Sequence, residues 1–143
     1  MSRIQDTKKL GDLSEMEAAM FAIKQGIEVS KPIGDRYRYD QIWDINGKLL
    51  RIQVKSPHIS NGAVEVNCKS MSRIKGKSVS HPYNGNEIDA IVVPYNDNCY
   101  MLLPKDFGKN AIRLRFESTS GKNKRNIKWL NDYSFDIKIK EIL

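Results

Sequence analysis

The sequence predicts a mixed α/β fold, because a helical pattern near the N-terminus precedes a hairpin signal and several short strand-like runs. Three observations carry this prediction: apolar residues at helical spacing, an Asn-Gly pair between alternating segments, and a continuous apolar run in 88–93. The chain has 143 residues, enough for one domain whose core needs no disulfides. We therefore expect residues 1–143 to form a single domain.

The composition argues against several classes of protein. Cys68 and Cys99 are isolated from each other, as are His58 and His81, so no spacing matches a zinc motif. No apolar run is long enough to cross a bilayer, and the first residues lack the apolar core of a secretion signal. A formal net charge of +7 favours a polyanionic partner, although many other basic proteins share such an excess. We expect a cytoplasmic protein that does not bind a membrane.

The first predicted element is a helix over residues 13–25. Its large apolar residues form one stripe, and Gly26 stands where a helix C-cap is expected. The small residues beside that stripe would let the helix approach a sheet closely, and they are Ala18, Ala19 and Ala22. Glu15 lies at the N-terminal end of the small face, where its carboxylate can point along the sheet into a site.

Glu15 also has a purely structural interpretation. Asp12 and Glu15 have the spacing of a capping box, and so have Ser14 and Glu17. Either glutamate would then only satisfy backbone N–H groups at the start of the helix. The sequence of the helix alone leaves both interpretations open.

The second predicted element is a hairpin that turns at Asn46-Gly47, a pair typical of type I′ turns. Counting outward from this turn places Asp40 opposite Gln53, and directly opposed residues project on the same side of the sheet. Lys55 lies two residues after Gln53 and therefore shares its face. A carboxylate, an amide oxygen and an ammonium are thus expected on one patch.

This patch has the chemistry of phosphodiester hydrolysis. Mg²⁺ and Mn²⁺ prefer oxygen ligands, and four residues can offer them here. They are Asp40 and Glu15 through their carboxylates, Gln53 through its side-chain oxygen and Val54 through its backbone carbonyl. Lys55 can orient or deprotonate a water molecule and offset charge in the transition state. The alternative is an ordinary surface hairpin with an ion pair between Lys55 and Asp40.

Several segments in a fixed order resemble the PD-(D/E)XK nuclease superfamily: GDLSE (11–15), GIEV (26–29), PIGD (32–35), YD (39–40) and RIQVK (51–55). The chain is more narrowly similar to the group I intron-encoded homing endonucleases of that superfamily, which have Gln-x-Lys in place of Asp/Glu-x-Lys. The later segments NEIDAIVV (86–93), IRLR (112–115) and IKWLNDY (127–133) also resemble that branch. The resemblance therefore spans about 11–133.

The resemblance implies a restriction-endonuclease-like core, in which a central mixed sheet is flanked by helices. It also implies that Glu15, Asp40, Gln53 and Lys55 form the catalytic site, that the chain assembles as a homotetramer or dimer, and that it makes double-strand breaks at a long DNA target. Such an enzyme would act near the nucleoid of a bacterial or phage-infected cell. Gln53 removes one negative charge from the superfamily's main pattern, so metal affinity can fall or catalysis can be lost.

The remaining sequence predicts scaffold strands and basic DNA contacts. Residues 63–68, 88–93, 99–103 and 112–116 are expected to be strands, with the first extending the central sheet, and alternation predicts a strand or interface segment in 134–143. Two basic loops, near 69–78 and 121–126, are candidates for phosphate contacts, and two arginines on one strand face are candidates for reading bases. The candidate DNA-binding residues are Lys69, Arg73, Lys75, Lys77, Arg113, Arg115, Lys122, Lys124 and Arg125.

Three functions remain open at this point. The first is a homing endonuclease that binds double-stranded DNA. The second is another nuclease of the same fold, such as a Holliday-junction resolvase or a restriction enzyme. The third is a DNA-binding module without catalysis, which the glutamine at position 53 motivates.

Overall fold

The computed structural model of the chain describes residues 6–118 and 126–143. Its helices and strands, in chain order, are α1 (Thr7–Lys24), β1 (Glu28–Ser30), β2 (Gln41–Ile45), β3 (Lys48–Val54), β4 (His58–Ser60), β5 (Ala63–Asn67), β6 (Lys69–Ile74), β7 (Lys77–Pro82), β8 (Ala90–Tyr95), β9 (Asn98–Leu102), β10 (Ala111–Arg115) and α2 (Phe135–Ile142). Short 3₁₀ helices cover Pro104–Asp106 and Leu130–Tyr133. Within the described ranges, no helix combines the length and apolar character needed to span a membrane.

The central sheet has five strands in the order β1-β2-β3-β8-β9. Strands β3 and β8 are parallel, and the other neighbours are antiparallel, so the sheet is mixed as predicted. Strand β5 does not extend this sheet, and that expectation was wrong: β5 lies between β10 and β4 in a separate three-stranded sheet. The reason is that β8 already occupies the edge of β3 through the pairs from Ile52–Ala90 to Val54–Val92.

Helix α1 begins six residues before the predicted start, because Asp6 caps it by accepting from the N–H groups of Lys8 and Lys9. It ends at Lys24, one residue before the predicted end, with Gln25 as its C-cap, and Gly26 follows with a φ of +82° that suits a residue without a side chain. The small face is buried, with Ala18 and Ala22 fully covered, which confirms the close approach to the sheet. The stripe of large residues is exposed instead, and it consists of Leu13, Met16, Met20 and Ile23.

The C-terminal segment forms α2 rather than the predicted strand. Phe135, Ile139 and Ile142 recur at helical spacing and pack against the core on the α1 side of the sheet, whereas Ile137 is exposed. The alternation of apolar residues at 135, 137 and 139 was therefore misleading. Residues 135 and 139 are four positions apart, a spacing that places them on one face of a helix as well as on one face of a strand. Lys138 lies on the buried side of α2, and its ammonium is 2.7 Å from the carboxylate of Asp106 and 3.1 Å from that of Glu141.

The predicted basic loop near 69–78 is a β-hairpin, which we call the hairpin arm (residues 69–82). Strands β6 and β7 pair through six residues, and the turn at Lys75-Gly76 has positive φ at both positions. In the described part of the chain these strands pair only with each other. Most arm residues are exposed, so the arm extends from the body of the protein.

Candidate active site

The β2–β3 hairpin brings Asp40 to the end of the central strand. Its turn is the predicted type I′ turn, and the pairing runs from Ile45–Lys48 to Gln41–Ile52 in the predicted register. The ladder ends one pair before Asp40 and Gln53. The N–H of Asp40 donates to the carbonyl of Ile52 at 2.8 Å. The Asp40 carboxylate then accepts the N–H of Val54 at 2.9 Å, which holds it beside the last residue of β3, directly before Lys55.

Gln53 is buried, with 8% of its surface exposed. Its side-chain nitrogen donates to the carbonyl of Arg38 at 2.9 Å. An amide that donates through nitrogen presents its oxygen as an acceptor. Gln53 is thus oriented by a backbone group of the chain segment that leads into β2.

Glu15 lies in the middle of α1, so the capping-box interpretation is wrong. The helix starts at Thr7, and the backbone groups near Glu15 bond within the helix. Burial, and then the negative charge of Asp40, raise the pKa of Glu15. Lys31 opposes this effect, with its ammonium 4.0 Å from the Glu15 carboxylate. The carboxylate of Asp40 is therefore near enough to Glu15 for its charge to affect the pKa of Glu15.

Burial also raises the pKa of Asp40, although the Val54 N–H and the charge of Lys55 act in the opposite direction. Because the pKa values of Glu15 and Asp40 are both raised, a cation that binds near these two carboxylates would stabilise the charged form of each. Burial lowers the pKa of Lys55, and the charge of Asp40 opposes this change. The Lys55 ammonium donates to the carbonyl of Lys69 at 3.3 Å, whereas Asp40 accepts from Val54. Among the described residues these two side chains form no ion pair, so the surface-hairpin interpretation does not apply.

A buried amide joins α1 to the hairpin. Gln41 has no exposed surface, its nitrogen donates to the backbone carbonyl of Glu15 at 2.7 Å, and its oxygen accepts from the indole of Trp43 at 3.0 Å. Gln41 is not among the site residues predicted from the sequence. The available signal is its position: Gln41, Trp43 and Ile45 alternate on the buried face of β2, where a lone polar residue requires partners.

Two further residues near the site, Arg38 and Tyr83, are also absent from the prediction based on the sequence. Tyr83 is 6% exposed, and its ring centre lies 4.1 Å from the Arg38 guanidinium carbon and 5.1 Å from the Lys55 ammonium. These contacts join segments far apart in the chain, and no local pattern predicts them.

The candidate DNA-binding residues fall into three groups. On the hairpin arm, Arg73, Lys75 and Lys77 are exposed, and Lys69 is half-buried at the base. Arg113 bonds to Glu65 and to the carbonyl of Ser60, and Arg115 bonds to the carbonyls of Asn61 and Glu117, so both guanidiniums already contact protein oxygens. The third group lies outside the described residues, and it consists of Lys122, Lys124 and Arg125.

The donor atoms at the site are suited to a hard divalent cation. They are two carboxylates, a side-chain amide oxygen and a backbone carbonyl, with no sulfur or imidazole among them. In 6–118 and 126–143, no three His, Cys, Asp or Glu side chains form a cluster, which agrees with Gln53 standing where a third acid is common. A mixed sheet in which Asp40, before β2, and Lys55, after β3, lie at the same end of the central strand points to a class of nucleases.

The chain belongs to the PD-(D/E)XK endonuclease family, whose model matches residues 5–136. It is similar to the structure of a bacterial homing endonuclease, I-Ssp6803I, with a TM-score of 0.76 and 28% sequence identity. That match covers 96% of this chain and 97% of the other. No curated protein sequence matches. The predicted fold and the assignment as an endonuclease, whose substrate is DNA, are thereby confirmed. Nucleases of this family use divalent metal ions.

Proposed function

We propose that this endonuclease is of the homing type and makes a double-strand break at a long, specific DNA site. The observation that supports the proposal lies at the end of β3, where the Asp40 carboxylate accepts the Val54 N–H, between Gln53 and Lys55, and where the charge of Asp40 acts on both Lys55 and Glu15. It occurs in a chain that is 28% identical to a homing endonuclease over nearly the full length of both. We treat residues 1–143 as one nuclease domain. Its place of action is then where its DNA substrate is, in the cytoplasm near the nucleoid.

The residues that would hold Mg²⁺ or Mn²⁺ are Asp40, Gln53, Val54 through its carbonyl, and Glu15. A bound divalent ion supplies a water of lowered pKa and neutralises charge on the phosphate. Asp40 is held by the Val54 N–H, and Gln53 is held by the Arg38 carbonyl, so both oxygen donors are oriented before a ligand arrives. Glu15 adds the second negative charge.

Lys55 acts on the water and on the phosphate. Because burial lowers its pKa, its amine can give up a proton more readily than an exposed lysine and can then accept one from the attacking water. In its charged form it offsets the negative charge that develops on the phosphate oxygens. Both roles require that its nitrogen stays near the end of β3, where the Lys69 carbonyl holds it.

The hairpin arm is the DNA contact that the structure supports best. Its exposed cations stand on a narrow two-stranded ribbon, and a ribbon of this kind fits the major groove of B-DNA. Arg113 and Arg115 are weaker candidates, because each already bonds to protein oxygens. Lys122, Lys124 and Arg125 remain candidates from the sequence.

Cleavage of both strands in one binding event needs two sets of site residues, because each set cuts one strand at a time. We propose a homodimer or homotetramer, with the exposed apolar stripe of α1 as one contact surface. Light scattering coupled to size exclusion measures the mass directly. Substitution of Met20, which is 51% exposed, by glutamate is expected to lower that mass without unfolding the chain, and an unchanged mass would move the contact elsewhere.

The decisive experiment is cleavage of a library of long duplexes and of a four-way junction in Mg²⁺. Wild type is compared with Lys55→Ala, Asp40→Ala and the control Lys48→Ala, which changes a lysine at the opposite end of the same strand. We expect discrete double-strand cuts that Lys55→Ala and Asp40→Ala abolish while much of their DNA binding remains. Either of these two variants cutting at the wild-type rate would show that the site is assigned wrongly.

The other outcomes separate the alternatives. Cutting confined to the junction indicates a resolvase of the same fold. If no substrate is cut, calorimetric titration with Mn²⁺ decides between a missed target and a module without catalysis. Heat of binding that disappears in Asp40→Ala supports the nuclease, and no binding in wild type refutes it.

A further inference from the structure

The base of the hairpin arm, by which we mean residues 68–70 and 81–83, forms one wall of the candidate active site. Tyr83 follows β7 directly, and its N–H donates to the carbonyl of Cys68, the residue before β6, at 3.0 Å. This bond closes the arm where it joins the body. Tyr83 is buried there, in contrast to the exposed strands of the arm.

Two groups of the arm base contact the Lys55 ammonium. One is the carbonyl of Lys69, the first residue of the arm. The other is the ring of Tyr83, whose centre lies 5.1 Å from the Lys55 nitrogen. A lysine over an aromatic face within about 6 Å is attracted by the negative charge density of the ring. The position of Lys55 therefore depends on the arm base.

Arg38 joins the arm to the other side of the site. Its guanidinium stacks 4.1 Å from the centre of the Tyr83 ring. Its N–H groups also donate to four acceptors at the arm base and beside it, namely the hydroxyl of Ser70, the carbonyls of His81 and Pro82, and the carboxylate of Glu87. The backbone carbonyl of the same residue accepts the side-chain N–H of Gln53. One residue thus fastens the arm and orients an oxygen donor of the site.

We propose that Tyr83 and Arg38 are positioning residues of the nuclease: Tyr83 holds the Lys55 ammonium, and Arg38 holds the Gln53 amide against the base of the hairpin arm. The inference rests on the proposed function, since it assigns these two residues a role in that same site. A consequence is that DNA bound to the arm affects the positions of both the Lys55 ammonium and the Gln53 amide, which links target binding to cleavage.

The kinetic test compares Tyr83→Leu, which removes the ring, with Tyr83→Phe, which keeps it. Tyr133→Leu is the matched control, because its ring also carries a lysine, Lys138 at 4.6 Å, but lies outside the site. The duplex is the one that wild type cuts in the library assay. The dissociation constant is measured in Ca²⁺, and the single-turnover rate is measured in Mg²⁺ at saturating enzyme.

We expect Tyr83→Leu to lower the single-turnover rate at least tenfold while the dissociation constant changes less than about threefold. Tyr83→Phe should recover most of the rate, and Tyr133→Leu should match wild type. A merely structural role would lower binding and rate together. The proposal for Tyr83 is overturned if Tyr83→Leu cuts at the wild-type rate, or if Tyr83→Phe is as slow as Tyr83→Leu.

Arg38→Lys keeps the charge but loses the branched set of donors that reaches several acceptors. We expect a single-turnover rate at least tenfold lower and a weaker affinity for Mn²⁺ alone, measured by calorimetry. Arg51→Lys is the control, because Arg51 forms a comparable ion pair with Asp89 at 3.1 Å. Unchanged metal affinity and rate in Arg38→Lys would overturn the assignment of Arg38.

A measurement without cleavage separates this inference from the proposed function. Protons above an aromatic ring resonate upfield, so the ε-methylene signal of Lys55, assigned with Lys55→Arg, should be shifted in wild type and in Tyr83→Phe but not in Tyr83→Leu. If wild type neither cuts a substrate nor binds Mn²⁺, the proposed function fails while this signal still decides whether Tyr83 positions Lys55. An identical signal in wild type and Tyr83→Leu overturns the positioning role.

Discussion

Replacing Gln41 by methionine tests how the buried amide couples the stability of the fold to the geometry of the site. The substitution keeps the volume of the side chain, so it leaves little cavity. It removes two hydrogen bonds, one from the Gln41 amide to the carbonyl of Glu15 at 2.7 Å and one from the Trp43 indole to Gln41 at 3.0 Å. The change is made at a position with no exposed surface, where water cannot replace either partner.

The expected cost is about 2–3 kcal/mol. Each lost hydrogen bond contributes about 1 kcal/mol, and an unpaired donor in a buried position adds a penalty of its own. That penalty falls on the indole N–H of Trp43, because the carbonyl of Glu15 can still accept from the next helical turn. Urea denaturation measures the change, and Gln25→Met, a substitution at an exposed glutamine near the end of α1, should change stability by less than about 0.5 kcal/mol.

The same variant should slow cleavage more than its loss of folded protein explains. Gln41 holds the backbone of Glu15 next to β2, the strand that directly follows Asp40, so its loss lets one carboxylate move relative to the other. Single-turnover rates are compared at a temperature where circular dichroism shows both proteins fully folded. If Gln41→Met and Gln25→Met are equally stable, the bridge does not contribute to the fold. If Gln41→Met is destabilised but cuts at the wild-type rate, the bridge does not position Glu15.

Two further predictions concern the C-terminal helix and the hairpin arm. Lys138→Ala leaves the carboxylate of Asp106 buried without its cation and should cost about 3 kcal/mol in urea denaturation, whereas Lys138→Met should cost less. Burial lowers the pKa of Lys138, but hydrogen bonds to Asp106 and Glu141 outweigh it and raise that pKa above the ordinary 10.5. The stability that the charged Lys138 contributes is therefore complete below pH 10.5 and is lost as the pH rises through the raised pKa. A stability difference between wild type and Lys138→Met that stays the same at higher pH would contradict this expectation. The plot of log binding constant against log salt has a negative slope, and replacing the three exposed arm cations together by alanine should make that slope less steep by about 3; an unchanged slope would exclude phosphate contacts by Arg73, Lys75 and Lys77.

The parts of the fold that the sequence predicted are those decided by local chemistry. The Asn46-Gly47 turn sets the pairing of β2 with β3, because both positions need positive φ and the strands must then pair outward from the turn. Gly26 ended α1 for a similar reason. The register in turn predicted that Asp40 and Gln53 meet, which is why much of the candidate site was found from local sequence.

The missed features depend on contacts between distant segments. The arm was interpreted as a loop because its serines and lysines have little hydrophobic pattern, yet the turn at Lys75-Gly76 is locally favoured. Arg38 contacts residues more than 30 positions away in sequence, so one sequence carries no signal for its role. The exposed stripe of α1 was misleading for another reason: the pattern shows which residues share a face, but not which face the sheet covers.

Gln53 itself gives the sharpest separation between charge and orientation at this site. Gln53→Glu restores the acidic residue of the wider superfamily, and a simple count of charges predicts tighter metal binding and faster cleavage. The structure predicts otherwise, because the Gln53 amide donates to the Arg38 carbonyl at 2.9 Å and a carboxylate can only accept. The new carboxylate would be 8% exposed and would face a carbonyl oxygen.

We therefore expect Gln53→Glu to destabilise the metal-free protein by about 1–3 kcal/mol and to cut more slowly than wild type, even where Mn²⁺ binds as tightly. Urea denaturation in EDTA and single-turnover cleavage in saturating Mg²⁺ measure the two effects. A variant that is as stable as wild type and cuts faster would show that charge alone governs the site. The expected outcome instead means that the side-chain amide at position 53 and the backbone carbonyl at position 38 form one unit. An acid at position 53 would require that carbonyl to lie elsewhere, which a change of side chain at position 38 alone does not provide.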